Sequence, residues 1–559
     1  MHRCLLVSEL AQRIAEACAP EYKYAAVRDC QFPFPGFGTL CSLARTCRAL
    51  QQPALDVIWY YQSGVQHLVK CLPQGTWNMQ WDPFNGCDII AILRKLLPND
   101  WERFDFYASR VHKLAFRHII RDKHLNGYTE LDLSIYEALC ARSQPLFPNL
   151  QHLSWINADP APDRCPFHRF VRCLVSPALS FLDLTHSQLS KLELIEILSS
   201  LPVLAPSLKD LKIHLFLGDI DVQMLSGILR QLKGLSKLRL SAESSQSSAT
   251  RVLNGGEHLF YEGLQELSIL SQLHTLRYDT SGVHIASTHT SSTKVGSCRT
   301  GFPSAEDLCL GSECSECLVE ALRNVSYPAV QDLTLNWPGT NINDVQQVVA
   351  LIQSRFPHRA LHTLLLRPSP ISNDTIMLDA GVGPASIFAP LHSFRSLREV
   401  TLKSRLCLSI SNADLESFGS AWPRLSSLVI MNTVERLERS HLVMVEKPTY
   451  KGIASLVKLC PDLRRIHIAI REDISSVESF LESGDMPVNA HDVELNFLDS
   501  YIGELDTTAQ WVARMFPRDI QIFHLIRPVG RRARSFGDML EPSRWSDLHS
   551  LVDHYHQLQ

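Results

Sequence analysis

No apolar run in the 559 residues approaches the roughly 20 needed to span a bilayer, so no membrane-crossing helix is expected. Charge of one sign is not in excess either. Against 58 Asp and Glu stand 54 Lys and Arg, a net charge of -4, which supplies no general drive toward nucleic acid or an anionic membrane. The 16 Cys are scattered, without the dense framework of a disulfide-stapled secreted domain. The opening MHRCLLVSEL has only Cys4–Val7 as an apolar run before Ser8 and Glu9, too short for a secretory core. These absences point to an intracellular protein, cytoplasmic, nuclear or both, with reduced thiols.

Catalytic signatures are missing as well. There is no G-x-S-x-G, no H-E-x-x-H and no P-loop. GVGPAS (381–386) lacks the third Gly of a dinucleotide loop. His284 and His289 sit in a Ser/Thr-rich stretch with no acidic partner nearby. Cys309, Cys314 and Cys317 have C-x4-C-x2-C spacing, but the next Cys is Cys407, so the fourth ligand of an iron–sulfur site is lacking. Paired Cys/His zinc ligands of the RING kind are also lacking. The sequence therefore predicts neither an enzyme nor a metal or cofactor site.

What is present is repetition. The template apolar-x-x-apolar-x-apolar recurs as VHKLAF (111–116), LQHLSW (150–155), LSFLDL (179–184), LKDLKI (208–213), LSKLRL (235–240), LQELSI (264–269), AEDLCL (305–310), VQDLTL (330–335), LHTLLL (361–366), LREVTL (397–402), LSSLVI (425–430), LRRIHI (463–468) and AHDVEL (490–495). Pro148, Pro177, Pro206, Pro328, Pro423 and Pro461 each lie two residues before a template start. Chance placement of 30 Pro would give about 0.7 such cases. Proline ends a helix and cannot donate to a strand ladder, so it marks a helix-to-strand junction. Between templates, ELIEILSSL (193–201), DVQMLSGILRQL (221–232), NDVQQVVALIQSRF (343–356) and TTAQWVARMF (507–516) place apolar residues at helical spacing.

A strand, a turn and a helix repeating at about this period is the leucine-rich-repeat pattern. The expected fold is α/β, with parallel strands on a concave face and helices outside. One unit cannot bury enough side chains to offset its ordering entropy, so the units must stack. Within each template the second and third apolar positions point to the core and their neighbours outward. The outward set includes His152, Asp183, Lys212, His214, Lys237, Arg239, Asp332, Asn336, Arg367, Glu399, Lys403, Met431, Arg465 and His467. From these, Lys212, His214, Arg239, Arg367, Lys403, Met431 and His467 are the candidates for contact with a protein substrate. SAESSQSSAT (241–250), 279–297 and 368–386 do not fit the repeat and are expected to be loops, with insertions spanning 241–257, 279–303 and 368–390.

The N-terminus has a different texture. LVSEL (6–10), followed by Ile14, resembles the opening of an F-box. LCSLARTCRALQQPALDVIW (40–59) resembles its second half, with Leu40, Leu43, Cys47, Leu50, Leu55 and Trp59 at the family positions. Val7 stands where the family has Pro, Leu50 where Trp or Phe is usual, and 20–39 is an insertion reading as a surface loop. Together with the repeats, the chain resembles F-box leucine-rich-repeat proteins of the fungal type. The resemblance implies a helical unit whose apolar face, including Leu6, Val7, Leu10 and Ile14, packs on a Skp-type adaptor and through it on a cullin ubiquitin ligase. The alternative is an interaction scaffold in which the same helices only cap the repeats. The expected organisation is an F-box-like unit (1–62), a linker with a helix at 87–98 (63–105), the irregular array (106–526) and a solvated basic tail (527–559).

Overall fold

The computed structural model describes residues 7–18, 36–83, 86–117, 119–122, 127–142, 144–156, 167–186, 189, 191–216, 222–243, 264–268, 270–282, 301–312, 315–339, 342–368, 387–404, 409–432, 446–483, 486–498, 500, 504–517, 520–523 and 541–558. The chain divides into two compact units, Met1–Ser245 and Gln246–Gln559.

The first unit begins with α1 (Ser8–Ala17), α2 (Phe37–Thr46) and α3 (Arg48–Tyr60). Gly36 precedes α2 with φ 89°, a left-handed backbone that glycine adopts without a Cβ clash. Cys47 is extended and breaks α2 from α3. Both α1 and α2 pack on α3. Ala15, Leu40, Val57 and Tyr61 form one cluster with Ala115 from the repeat array, flanked by Cys18, Leu43, Ile58 and Tyr60. Directly after α3, β1 (Tyr61–Gln62) pairs in parallel with the first repeat strand.

Where a linker with a helix was expected, a small sheet stands. It contains β2 (Trp77–Asp82) and β3 (Cys87–Ile92), followed by α4 (Glu102–Ala108). After β4 (Lys113–Arg117) come β5 (Ile119–Asp122), β6 (Gly127–Leu131) and α5 (Leu133–Cys140). The strand order is β2-β3-β6-β5. The apolar spacing of 87–98 mimics a helix, but Ile89, Ile90 and Ile92 are β-branched, stiff at χ1 and better suited to a pleated surface. Ser134 at the start of α5 accepts a 3.0 Å bond from the Ile92 amide, and Ile90 and Leu131 are buried.

The array of this unit is β4, β7 (His152–Ile156), β8 (Phe181–His186), β9 (Asp210–Phe216) and β10 (Lys237–Glu243), all parallel. Between these strands lie α6 (Phe167–Leu174), α7 (Lys191–Leu204) and α8 (Val222–Leu229). Each strand starts at the third template residue, so Lys113, His152, Phe181, Asp210 and Lys237 fall in one register row. All three apolar template positions are buried, as in Leu150, Leu153 and Trp155 or Leu208, Leu211 and Ile213. The proline sits in the turn before the strand. There a single carbonyl accepts two amides of the next repeat, as when Gln151 and His152 both donate to His112 O at 2.8 and 3.0 Å.

The second unit repeats this plan with β11 (Thr275–Gly282), β12 (Asp307–Gly311), β13 (Asp332–Trp337), β14 (Thr363–Pro368), β15 (Glu399–Ser404), β16 (Ser427–Asn432), β17 (Arg465–His467), β18 (Val493–Asn496) and β19 (Ile520–Phe523). Neighbours pair in parallel in chain order. Its helices include α9 (Ser315–Asn324), α10 (Ile342–Arg355), α11 (Asn412–Ala421), α12 (Tyr450–Leu459), α13 (Ile474–Ser483), α14 (Leu505–Met515) and α15 (Glu541–Leu558). The fold is thus the expected α/β leucine-rich-repeat stack with long parallel sheets, preceded by N-terminal helices.

Three local expectations change. LQELSI is helical over 264–267, and the strand comes from the next apolar triplet, Leu273, Leu276 and Tyr278, all buried. Residues 279–282, expected to be loop, complete β11. The C-terminal stretch is not a solvated tail throughout: α15 packs on α14 with Leu548 and Val552 buried. Tyr555 Oη donates to Asp506 Oδ1 at 2.6 Å, and His556 Nε2 lies 2.8 Å from Phe516 O. This helix closes the last repeat, a need common to repeat arrays. The basic stretch 527–538 and the segments 20–35, 244–263, 283–300 and 369–386 lie outside the described residues.

Candidate interaction surfaces

Helix α1 divides its side chains unusually. Ala11 and Ala15 are buried, while Val7, Leu10 and Ile14 are 43%, 43% and 39% exposed. The exposed residues stand at i, i+3 and i+7, so they form one stripe along the helix. The small alanines let α1 lie close on α3 and leave the large side chains pointing to water.

The other expected docking residues are divided. Leu40 and Leu50 belong to the unit's own core, a correction to their expected place on the docking face. They sit on the inner faces of two helices that must bury something to hold together. Leu43, Cys47, Leu55 and Trp59 are half-buried. Trp59 stacks on Tyr107, ring centroids 4.5 Å apart, and Tyr60 stacks on His112. Leu6 lies outside the described residues.

On the sheet face of the first unit, Lys212 and Arg239 are register partners on β9 and β10, and His214 Nδ1 lies 3.0 Å from Ser241 Oγ. Asp183, expected outward and exposed, is buried. Its carboxylate pairs with Lys212 Nζ at 3.3 Å and accepts from the Thr185 amide and hydroxyl at 3.0 and 2.6 Å. Asp210 Oδ1 is buried without a hydrogen-bond partner, and burial raises its pKa despite Arg239, Lys212 and Lys237 nearby. Sequence reasoning left Phe181 unassigned. It lies between His152, at 5.2 Å, and the Lys212 ammonium, 4.7 Å above its ring. Its position as the third template residue is the signal that would have placed it on this face. Burial, with Lys113 beside it, pushes His152 down to about 4.

The second unit carries its own group. Arg367, Lys403 and Met431 come from successive strands β14, β15 and β16, with Lys403 and Met431 in register. His467 on β17 falls in the row of Val429. Burial, then the neighbouring Arg367, lowers the Lys403 pKa. Glu494, also unassigned from sequence, accepts from Arg465 Nε at 2.6 Å and lies 2.8 Å from His467 Nε2. Burial nonetheless holds His467 below the ordinary imidazole range, outweighing Glu494. Cys309 lies on β12 and Cys317 is buried in α9, while Cys314 lies outside the described residues. Burial pushes the Cys309 thiol up to about 11, so it is protonated at neutral pH.

The arrangement defines a leucine-rich-repeat fold whose sheet surfaces carry mixed charge. No helix among the described residues is long and apolar enough to cross a membrane. No family model matches the chain, and no curated protein does. Among solved structures it is similar to the leucine-rich repeat-containing protein LegL7 from Legionella pneumophila. The identity is 15% over 67% of this chain and 90% of that one, with a TM-score of 0.30. It is also similar to the yeast complex of Rad7 and Elc1, at 14% identity over 73% of this chain and 77% of that one, with a TM-score of 0.31.

Proposed function

We propose that the chain is a substrate-recognition adaptor of an SCF-type ubiquitin ligase. In this reading α1–α3 dock on a Skp-type adaptor, and through it on a cullin ligase, while the repeats hold a protein substrate. One observation carries the reading: α1 leaves Val7, Leu10 and Ile14 exposed in a single stripe while its alanines make the internal contacts. Large side chains of this kind gain most when a partner removes them from water. The chain itself performs no chemistry. It raises the effective concentration of a client beside the recruited enzymes.

The test is a pull-down with purified Skp adaptor, comparing wild type with Leu10→Asp/Ile14→Asp. Each changed residue costs about 2 kcal/mol of binding, roughly 30-fold, if it is an anchor. Binding unaffected by the double change discards the docking assignment. The scaffold reading also has support: Tyr61 and Val57 share a cluster with Ala115 of the first repeat strand. That packing supports a capping role for the helices, and complete absence of adaptor binding leaves the scaffold reading standing.

A further inference from the structure

Among the described residues, the sheet β2-β3-β6-β5 ends at β2, with no strand paired on its outer side. The Leu93 amide donates to Thr76 O at 2.9 Å, which fixes the phase of the antiparallel ladder. Thr76, Asn78, Gln80 and Asp82 direct their backbone groups to β3. Trp77, Met79 and Trp81 direct theirs away from it, toward the edge. The same three residues carry the large apolar side chains, with Met79 48% and Trp81 59% exposed. Edge strands are usually blunted by lysine, proline or a bulge. Trp77–Asp82 contains no lysine and no proline, and its register with β3 runs without interruption from Trp77↔Ile92 to Asp82↔Cys87.

The sequence of this edge is also a chemical palindrome, Trp77-Asn78-Met79-Gln80-Trp81. We infer that β2 is a homodimerisation edge, pairing antiparallel with β2 of a second copy about a two-fold axis through Met79. In that register Met79 faces Met79, and each Trp77 faces the other copy's Trp81. These are the hydrogen-bonded positions, so the backbone groups unused by β3 meet each other. Asn78 faces Gln80 across the interface at the closer, non-hydrogen-bonded positions. Asn78 Oδ1, buried and without a partner in the single chain, then has an amide donor within reach. No like charges face one another within the five residues. An isologous contact of this kind closes after two copies and leaves no free edge at β2.

Sedimentation equilibrium on the full chain tests this. Wild type is expected at twice the 63.1 kDa chain mass. M79K places two ammonium groups on the axis and weakens the dimer by about a hundredfold or more. W81K, at an exposed position off the axis, weakens it too. Far-UV circular dichroism confirms that both variants remain folded. M79E alone is also monomeric, and an equimolar mixture of M79K and M79E forms the dimer again. A monomeric wild type at every concentration, a dimer indifferent to M79K and W81K, or a mixture no better than its components overturns the inference.

Discussion

Two ten-residue helices, α1 and α12, show how this chain uses the same building block in opposite ways. Helix α12 in the second unit buries Tyr450, Gly452, Ile453, Ala454, Leu456 and Val457. Helix α1 buries only Ala11 and Ala15 and turns Val7, Leu10 and Ile14 to water. In the repeat helix every large apolar side chain has a neighbouring repeat to fill. In α1 the fully buried contacts are made by the smallest side chains, while Val7, Leu10 and Ile14 keep about two fifths of their surface in water. The two helices thus differ in which residues face inward, the alanines in α1 and the large side chains in α12.

Mutations break this comparison first where the burial is complete. Leu456→Ala is expected to destabilise the second unit by about 2–5 kcal/mol, since it removes transfer energy and leaves a cavity; urea unfolding monitored by tryptophan fluorescence reads it. Next in size is the cap of α11. Ser411 Oγ accepts from the Asp414 amide at 3.2 Å, and the Asp414 carboxylate accepts in return from the Ser411 amide at 2.7 Å. Ser411→Ala should cost about 1 kcal/mol in the same measurement.

A similar effect follows from His152. Its folded pKa, about 4, lies below the ordinary value near 6.5. The neutral form is favoured in the fold, so this contribution is fully present above pH 6.5 and is lost as pH falls toward 4. It amounts to about 1 kcal/mol once its remaining contact with water is discounted. His152→Gln should flatten stability across that window, read by unfolding at a series of pH values. The smallest change is expected at α1. Leu10→Ala should move stability by less than about 0.5 kcal/mol, and a large destabilisation would show that the stripe is packed rather than presented.

Much of the architecture was legible because the repeat has a strong local signature. A proline two residues before an apolar triplet marks a turn that feeds a strand, as at Pro148, Pro177 and Pro206. What is not legible depends on choices among equivalent local patterns. LQELSI and LHTLRY both fit the template, and only pairing of Thr275 with Asp307 decides between them. The segment around Ile89–Ile92 fits helical spacing, and its strand is fixed by partners in β2 and β6 that are distant in sequence. At the N-terminus the apolar positions were visible but their division was not. Leu40 and Leu10 look alike in a stripe; packing against Tyr61 and Ala115 claims one and leaves the other in water.

Hydrogen–deuterium exchange of the chain with and without purified Skp adaptor addresses the central claim most directly. New protection is expected in residues 7–18, centred on the Leu10–Ile14 turn, with the α12 peptide unchanged. Adaptor present at saturating concentration with no added protection in α1, or protection of α12 instead, contradicts it.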